Sequence, residues 1–82
     1  MMKEARTSGF KRVYRKLPSS TQRACDKQIH FLITDIRHPS LRAKKYDESQ
    51  GIWQARVTNN VRFYFLIVGT TYLLLDIERH KD

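Results

Sequence analysis

Residues 51–80 read GIWQARVTNNVRFYFLIVGTTYLLLDIERH, and this stretch decides the fold. Residues 61–68, VRFYFLIV, are β-branched and aromatic, and they are too apolar for a strand washed by solvent. Asn59, Asn60 and Gly69 stand at the two interruptions, and these residue types tolerate the dihedral angles of turns. The sequence therefore predicts an antiparallel meander of three consecutive strands, with a neighbour on each side of the central strand.

The register of this meander follows from the side chains that must share a face. A three-residue loop at residues 58–60 places Ala55 opposite Phe63, and a second loop at residues 68–70 places Phe63 opposite Leu75. One face then carries an apolar set that we expect to be the core: Trp53, Ala55, Val57, Val61, Phe63, Phe65, Leu73, Leu75 and Ile77.

The opposite face of the meander is predicted to be polar and basic. Arg56 and Arg62 lie directly opposite each other, Asp76 continues their row, and Gln54 and Tyr64 form the next row. Like charges at this spacing repel, at a cost of about 0.2–1 kcal/mol. Either Asp76 neutralises the arginines, or they splay into water, or they are placed to hold a phosphate through their bidentate forks.

Length and composition bound the kind of protein. The 82 residues suffice for one domain, residues 1–82, with a modest core. The net charge of +8 and the pI of about 10.1 favour a polyanionic partner, either nucleic acid or an acidic protein. The single cysteine, Cys25, cannot form an internal disulfide, which fits a reducing cytoplasm. We expect no membrane segment and no metal site, because neither a long apolar run nor metal-ligand spacing is visible.

The residues before the meander predict a helical hairpin. Thr7 or Ser8 can cap a first helix that ends at Pro18, with apolar residues at helical spacing: Phe10, Val13, Tyr14 and Leu17. A second helix closes at Pro39 and carries the stripe Cys25, Ile29, Leu32 and Ile36. The apolar faces of both helices need a cover, and the core face of the meander is the surface available.

Two further segments extend the predicted sheet. Residues 41–46 are expected to be a first strand or an extended segment, and residues 1–6 to be an edge strand or frayed. The predicted fold class is therefore α+β, with an N-terminal helical hairpin packed on a three- to four-stranded antiparallel sheet.

This order of elements, together with four sequence segments, resembles the RelE/ParE superfamily of bacterial toxin–antitoxin toxins. The segments are FKRVYRKLP, HPSLRAKKY, GIWQARVTNNVRFYF and IERHKD, and they span nearly the whole chain. The most specific parts are the strand with Trp53 and Arg56, the strand at residues 61–64, and the basic end at His80.

The resemblance implies a function. The RelE branch cleaves messenger RNA, usually on the ribosome and without a metal or other cofactor, whereas the ParE branch inhibits DNA gyrase. An antitoxin protein inhibits members of both branches. We therefore expect a cytoplasmic toxin that is a metal-independent endoribonuclease and inhibits translation, with antitoxin, mRNA and ribosome as partners. The alternatives are a ParE-like gyrase inhibitor and a catalytically inactive binding module on the same fold.

The resemblance also implies the catalytic residues. Arg62 matches the arginine that binds the scissile phosphate, and Arg56 matches a basic position on the preceding strand. His80 falls where the RelE branch has a basic residue or a histidine, so it is the candidate acid or base. Arg62, Arg56 and His80 are the predicted catalytic set.

Four other residues are predicted to contact RNA. Lys44 and Lys45 are placed to steer phosphates, and Gln54 stands where some RelE enzymes carry a lysine. Tyr64 or Tyr72 is a candidate to stack on a base, although ordinary packing between strands explains Tyr64 equally well.

Overall fold

The computed structural model describes residues 2–79, which form two α-helices and a five-stranded sheet. In chain order, the elements are β1 (Lys3–Arg6), α1 (Ser8–Arg15), α2 (Ser19–Thr34), a 3₁₀ turn (Pro39–Leu41), β2 (Lys44–Asp47), β3 (Ile52–Arg56), β4 (Val61–Val68) and β5 (Thr71–Arg79). The strands are ordered β1-β5-β4-β3-β2, and β1 runs parallel to β5 while the other pairs are antiparallel. The predicted α+β fold is confirmed, but the sheet is wider than expected and mixed, because β1 joins it as a parallel edge strand.

The helices begin and end for local reasons. Thr7 caps α1, since its Oγ1 accepts a hydrogen bond from the Phe10 amide at 3.1 Å. α2 ends at Thr34 and not, as predicted, at Pro39. Beyond the end of α2, the His38 ring stacks flat on the ring of Phe31, with centroids 3.8 Å apart. Neither described helix is long and apolar enough to cross a membrane.

The core lies between the two helices and one face of the sheet. Its fully buried large side chains come from every layer: Phe10, Cys25, Leu32, Leu41, Phe63, Phe65 and Leu74. Phe63 packs edge-on against Phe65, with centroids 5.9 Å apart, and also contacts Phe10 of α1. Burial raises the pKa of the Cys25 thiol to about 12, so this group stays protonated and packs as a small apolar side chain.

The register between β3 and β4 is as predicted. Ala55 lies opposite Phe63, Trp53 opposite Phe65, and Arg56 opposite Arg62. The apolar members of these pairs therefore face the helices, and the two arginines face away from them.

The register between β4 and β5 differs from the prediction along the whole strand pair, by one residue next to the turn and by two residues further along, so that Phe63 lies opposite Ile77 and not opposite Leu75. Val68 pairs with Thr71, so the connection has two residues rather than three. Gly69 occupies its first central position with a φ of 59°, the position where a type II′ turn requires a positive φ. This one-residue change places Tyr72 on the core face in place of Leu73.

A β-bulge then adds a second shift of one residue, so the side chains beyond it face as predicted although their partners on β4 differ. Tyr64 pairs with Asp76 and Phe65 with Leu74, so Leu75 is the extra residue on β5. The carbonyl oxygen of Leu75 accepts a hydrogen bond from the Thr7 hydroxyl at 2.8 Å. The bulge leaves Leu75 half-buried and Leu74 in the core, contrary to prediction, while Ile77 faces the core as expected.

The bulge also corrects the row across the two arginines. Glu78, and not Asp76, lies opposite Arg62, and Asp76 lies opposite Tyr64. The carboxylate that faces the arginine pair is therefore two residues further along β5 than the sequence predicted.

The core assignment predicts a large loss of stability for Phe63→Ala. Phe63 has no exposed surface, so its truncation should lower the free energy of unfolding by about 3–5 kcal/mol. Val68→Ala is the control, because Val68 is 57% exposed and its truncation should change stability by less than about 0.5 kcal/mol. Urea denaturation measures both, and a Phe63→Ala protein as stable as its parent would contradict the packing described above.

Candidate functional site

A shallow cavity of about 140 Å³ opens on the face of the sheet that points away from the helices. We call it the basic pocket, because four of its five lining side chains are cationic: Arg42, Lys44, Gln54, Arg56 and Arg62. A concave surface with charges of one sign concentrates the field that attracts anions, so the pocket is suited to an anionic group such as a phosphate.

Three neighbouring strands supply most of the basic pocket. Arg56 of β3 lies opposite Arg62 of β4, and Gln54 shares their face because it is two residues from Arg56. Lys44 of β2 pairs with Gln54 and so lies on the same face. The structure thus brings together four residues predicted from the sequence to contact RNA or its scissile phosphate.

Arg42 is the pocket residue that sequence reasoning missed. It follows the 3₁₀ turn and adopts a left-handed backbone, with φ 48° and ψ 41°. This conformation is uncommon for a residue other than glycine. Leu41 beside it is fully buried and anchors the segment to the core. The sequence signal was the basic run at residues 42–45, but that run does not indicate which cations face the sheet.

Lys45 lies on the other side of β2. It pairs with Trp53, and its Nζ is 5.4 Å from the centroid of the Trp53 ring, within the range of a cation–π contact. The structure therefore places Lys44 in the basic pocket but not Lys45. A role for Lys45 in steering phosphates from the edge of the sheet stays a prediction.

Tyr64 lies beside the pocket, packed between strands. It is 9% exposed, and its hydroxyl donates a hydrogen bond to Glu78 Oε1 at 3.0 Å. Burial, as the larger cause, and this hydrogen bond, as the smaller one, together raise the pKa of Tyr64 to about 12. The hydroxyl is thus a donor at neutral pH, and little of the ring is left for a base to stack on. An RNA contact by Tyr64 stays a prediction, and Tyr72 lies in the core.

A buried glutamine fixes the backbone that carries the pocket arginines. Gln28 of α2 is 3% exposed, and its Nε2 donates to the carbonyl oxygens of Arg56 at 2.8 Å and Ser40 at 3.0 Å. The Ser40 hydroxyl donates back to Gln28 Oε1 at 3.3 Å. Because Ser40 is two residues before Arg42, one side chain holds both the strand and the loop that line the pocket.

The ion pairs between residues of the described range 2–79 do not involve the cations of the basic pocket. Those pairs join Arg6 to Glu4 at 2.8 Å and Arg37 to Asp35 at 3.5 Å, and neither takes a pocket cation. Within the same residues, no three His, Cys, Asp or Glu side chains are grouped as metal ligands would be. His80 lies outside the described residues, so its place beside Arg56 and Arg62 stays a prediction.

Comparison with known proteins identifies the fold. No protein-family model matches the chain, and no curated protein matches its sequence. A YoeB/ParE toxin from Agrobacterium tumefaciens superposes with a TM-score of 0.78 at 15% identity, covering 98% of this chain and 100% of that one. The archaeal RelE–RelB complex from Pyrococcus horikoshii OT3 gives 0.80 at 11% identity, with 95% and 93% covered.

A third solved structure also superposes over nearly its full length. It is the toxin–antitoxin complex RelBE2 from Mycobacterium tuberculosis, with a TM-score of 0.69 at 24% identity, covering 96% of this chain and 98% of that one. The three matches extend over nearly the full length of each chain. The protein therefore has the RelE-like α+β fold, the fold of the RelE, YoeB and ParE toxins.

The Gln28 bridge predicts that Gln28→Leu destabilises the protein. Leucine fills a similar volume but leaves the Arg56 and Ser40 carbonyls without their donor, which should cost about 1–3 kcal/mol. Gln50→Leu makes the same chemical change at an exposed turn position and should change stability by less than about 0.5 kcal/mol. Chemical denaturation of both variants tests this, and equal stability of the two would show that the bridge contributes nothing.

Proposed function

We propose that this protein is the toxin of a toxin–antitoxin system and that it inhibits translation by cleaving messenger RNA. The observation that carries the proposal is the basic pocket, in which Arg56 and Arg62 face each other on neighbouring strands of a RelE-like fold. Each arginine presents a fork of two N–H donors that matches two oxygens of a phosphodiester. Messenger RNA and ribosomes share the cytoplasm, which is therefore the proposed place of action.

The chemistry requires only the RNA and the side chains of this chain. The 2′-oxygen of one ribose bonds to the adjacent phosphorus while the bond from phosphorus to the 5′-oxygen breaks, giving a 2′,3′-cyclic phosphate and a 5′-hydroxyl. Such a step needs charge stabilisation at phosphorus, a proton acceptor for the 2′-hydroxyl and a proton donor for the 5′-oxygen. Neither a metal nor another cofactor is assigned a part in it.

Each residue has a proposed role in that step. Arg62 binds the scissile phosphate and Arg56 assists it, since their charges are strongest where negative charge grows in the transition state. His80 is the acid or base, because histidine titrates near neutral pH. Lys44 and Gln54, which line the same pocket, hold the neighbouring backbone of the RNA.

An antitoxin is the proposed protein partner. The Mycobacterium structure with this fold is a toxin–antitoxin complex, and the Pyrococcus structure is a RelE–RelB complex. The net charge of +8 favours an acidic partner, and it equally favours contact with ribosomal RNA. We therefore propose a cognate antitoxin that carries acidic side chains and inhibits the protein by covering its basic surface.

The proposed site predicts that Arg62→Ala abolishes growth inhibition and RNA cleavage without unfolding the protein. The side chain lies outside the core and faces another arginine, so its removal leaves the packing intact. Arg23→Ala is the matched control, because it makes the same change at an exposed position of α2. Growth after expression, cleavage of purified RNA and thermal unfolding are measured together. An Arg62→Ala protein that folds and remains fully toxic would overturn the ribonuclease proposal.

The role of His80 predicts a change in the pH profile. His80→Gln should lower the cleavage rate by about 10²–10⁴-fold and flatten its dependence on pH near neutrality, because a titrating proton carrier is lost. His30→Gln, at an exposed position of α2, should leave both rate and profile unchanged. If His80→Gln cleaves like the parent, the histidine has no catalytic role, whereas the phosphate site at Arg62 is unaffected.

The two alternative functions give different cellular results. A YoeB/ParE toxin shares the fold, so gyrase inhibition is the second candidate. Expressing the protein alone in bacteria and following both protein synthesis and DNA supercoiling separates the two activities. Cleavage of RNA with and without ribosomes then defines ribosome dependence. Loss of supercoiling without RNA cleavage would indicate the gyrase inhibitor, and no effect on either would indicate an inactive binding module.

A further inference from the structure

An exposed aromatic side chain borders the basic pocket and has no part in the proposed chemistry. Tyr46 is 61% exposed, more than the other large apolar side chains that stand out from the described surface, Ile67 and Val68. It is the extra residue of a β-bulge in β2, where Lys45 pairs with Trp53 and Asp47 with Ile52. Bulges commonly redirect a side chain near a functional site.

The Tyr46 ring rests on a fixed support. Its centroid lies 4.8 Å from that of Tyr64, with an angle of 57° between the ring planes. Tyr64 is held in turn, because it is almost buried and its hydroxyl is bonded to Glu78. Tyr46 is therefore backed by a buried, hydrogen-bonded neighbour and presents its remaining ring surface to solvent. An aromatic ring held in this way loses little entropy when it receives a flat ligand.

The distance from Tyr46 to the pocket fits a single nucleotide. Lys44, which lines the pocket, is two residues earlier on the same strand, or about 7 Å at the usual rise of a strand. Gln54 lies between the pocket and the ring support, since it pairs with Lys44 of β2 and with Tyr64 of β4. A cationic pocket beside an exposed ring matches a phosphate and the base attached to it.

We propose that Tyr46 is the stacking platform for a nucleobase of the RNA whose phosphate occupies the basic pocket. The proposal rests on the proposed function and adds a base-binding subsite to it. Stacking uses the π-face that every base has, so this subsite accepts any of the four bases. Arg42 and Lys44, the pocket cations that precede Tyr46 in the chain, favour RNA as the occupant over an apolar segment of a partner protein.

Binding of a short single-stranded RNA tests the platform. The RNA is methylated at each 2′-oxygen, so it cannot be cleaved, and its affinity for the full chain is measured by fluorescence anisotropy. Tyr46→Ala should weaken binding by about 5- to 150-fold, the effect usual for one stacked base. Tyr46→Phe keeps the ring and should bind as the parent does. Val68→Ala, an exposed apolar truncation at the far end of the same face, should also bind as the parent does.

A second series identifies the stacked base. Each base of the RNA is removed in turn, leaving the sugar and phosphate in place. Removal at one position should weaken binding to the parent as much as Tyr46→Ala does, and the two changes together should weaken it no further. If the alanine variant does not fold, Tyr46→Leu replaces it, because leucine keeps the contact with Tyr64 but has no π-face. The same loss of RNA affinity is expected for Tyr46→Leu.

The outcomes separate the platform from the proposed function. If Arg62→Ala abolishes RNA binding while Tyr46→Ala and Tyr46→Leu bind as the parent does, the platform is overturned and the phosphate site stands. If the parent does not bind the RNA at all, the platform is overturned, whereas the proposed function is decided separately by the growth and cleavage assays of Arg62→Ala. If loss of the ring weakens binding of the antitoxin but not of RNA, Tyr46 belongs to a protein interface and the platform is again overturned.

Discussion

The pairing of β3 with β4 is the constraint on which both the core and the basic pocket depend. In this pairing, Ala55 lies opposite Phe63 on one face and Arg56 lies opposite Arg62 on the other. Because side chains alternate, a slip of one residue in either strand would move a buried phenylalanine into water and an arginine into the core. The apolar residues that stabilise the fold thus also fix the positions of Arg56 and Arg62, because one strand register determines both faces of the sheet.

The sequence predicted this pairing correctly, whereas for β4 and β5 it predicted the antiparallel pairing but not the register, and the difference has a physical cause. In residues 61–65 apolar and polar side chains alternate strictly enough to determine which face is buried, apart from Tyr64. In β5 the run Leu73-Leu74-Leu75 is apolar at every position, so alternation carries no information about its facing. The bulge that settles the matter is supported by the Thr7 hydroxyl, 68 positions away in the chain, and no local pattern reveals such a bond.

The candidate site shows the same division between local and distant causes. Arg56, Arg62, Lys44 and Gln54 were predictable as neighbours because strand pairing alone assembles them. Arg42 reaches the pocket only because a 3₁₀ turn places it in a left-handed conformation, and Lys45 is lost to the other face by the alternation of β2. The exposed ring of Tyr46 could not have been distinguished from Tyr64 or Tyr72, since the three tyrosines differ in burial and not in residue type.

Gln28 holds from the core side the two segments that carry pocket cations. Two arginines held opposite each other repel, and the carboxylate of Glu78 lies opposite Arg62 on the next strand. A buried amide stabilises only when its hydrogen bonds are made, and Gln28 bonds through both its Nε2 and its Oε1 to the segments that carry Arg56 and Arg42. The backbone is thereby held in place from the core side, where no solvent competes. An incoming phosphate then meets cations already in position, so little of its binding energy is spent on ordering them.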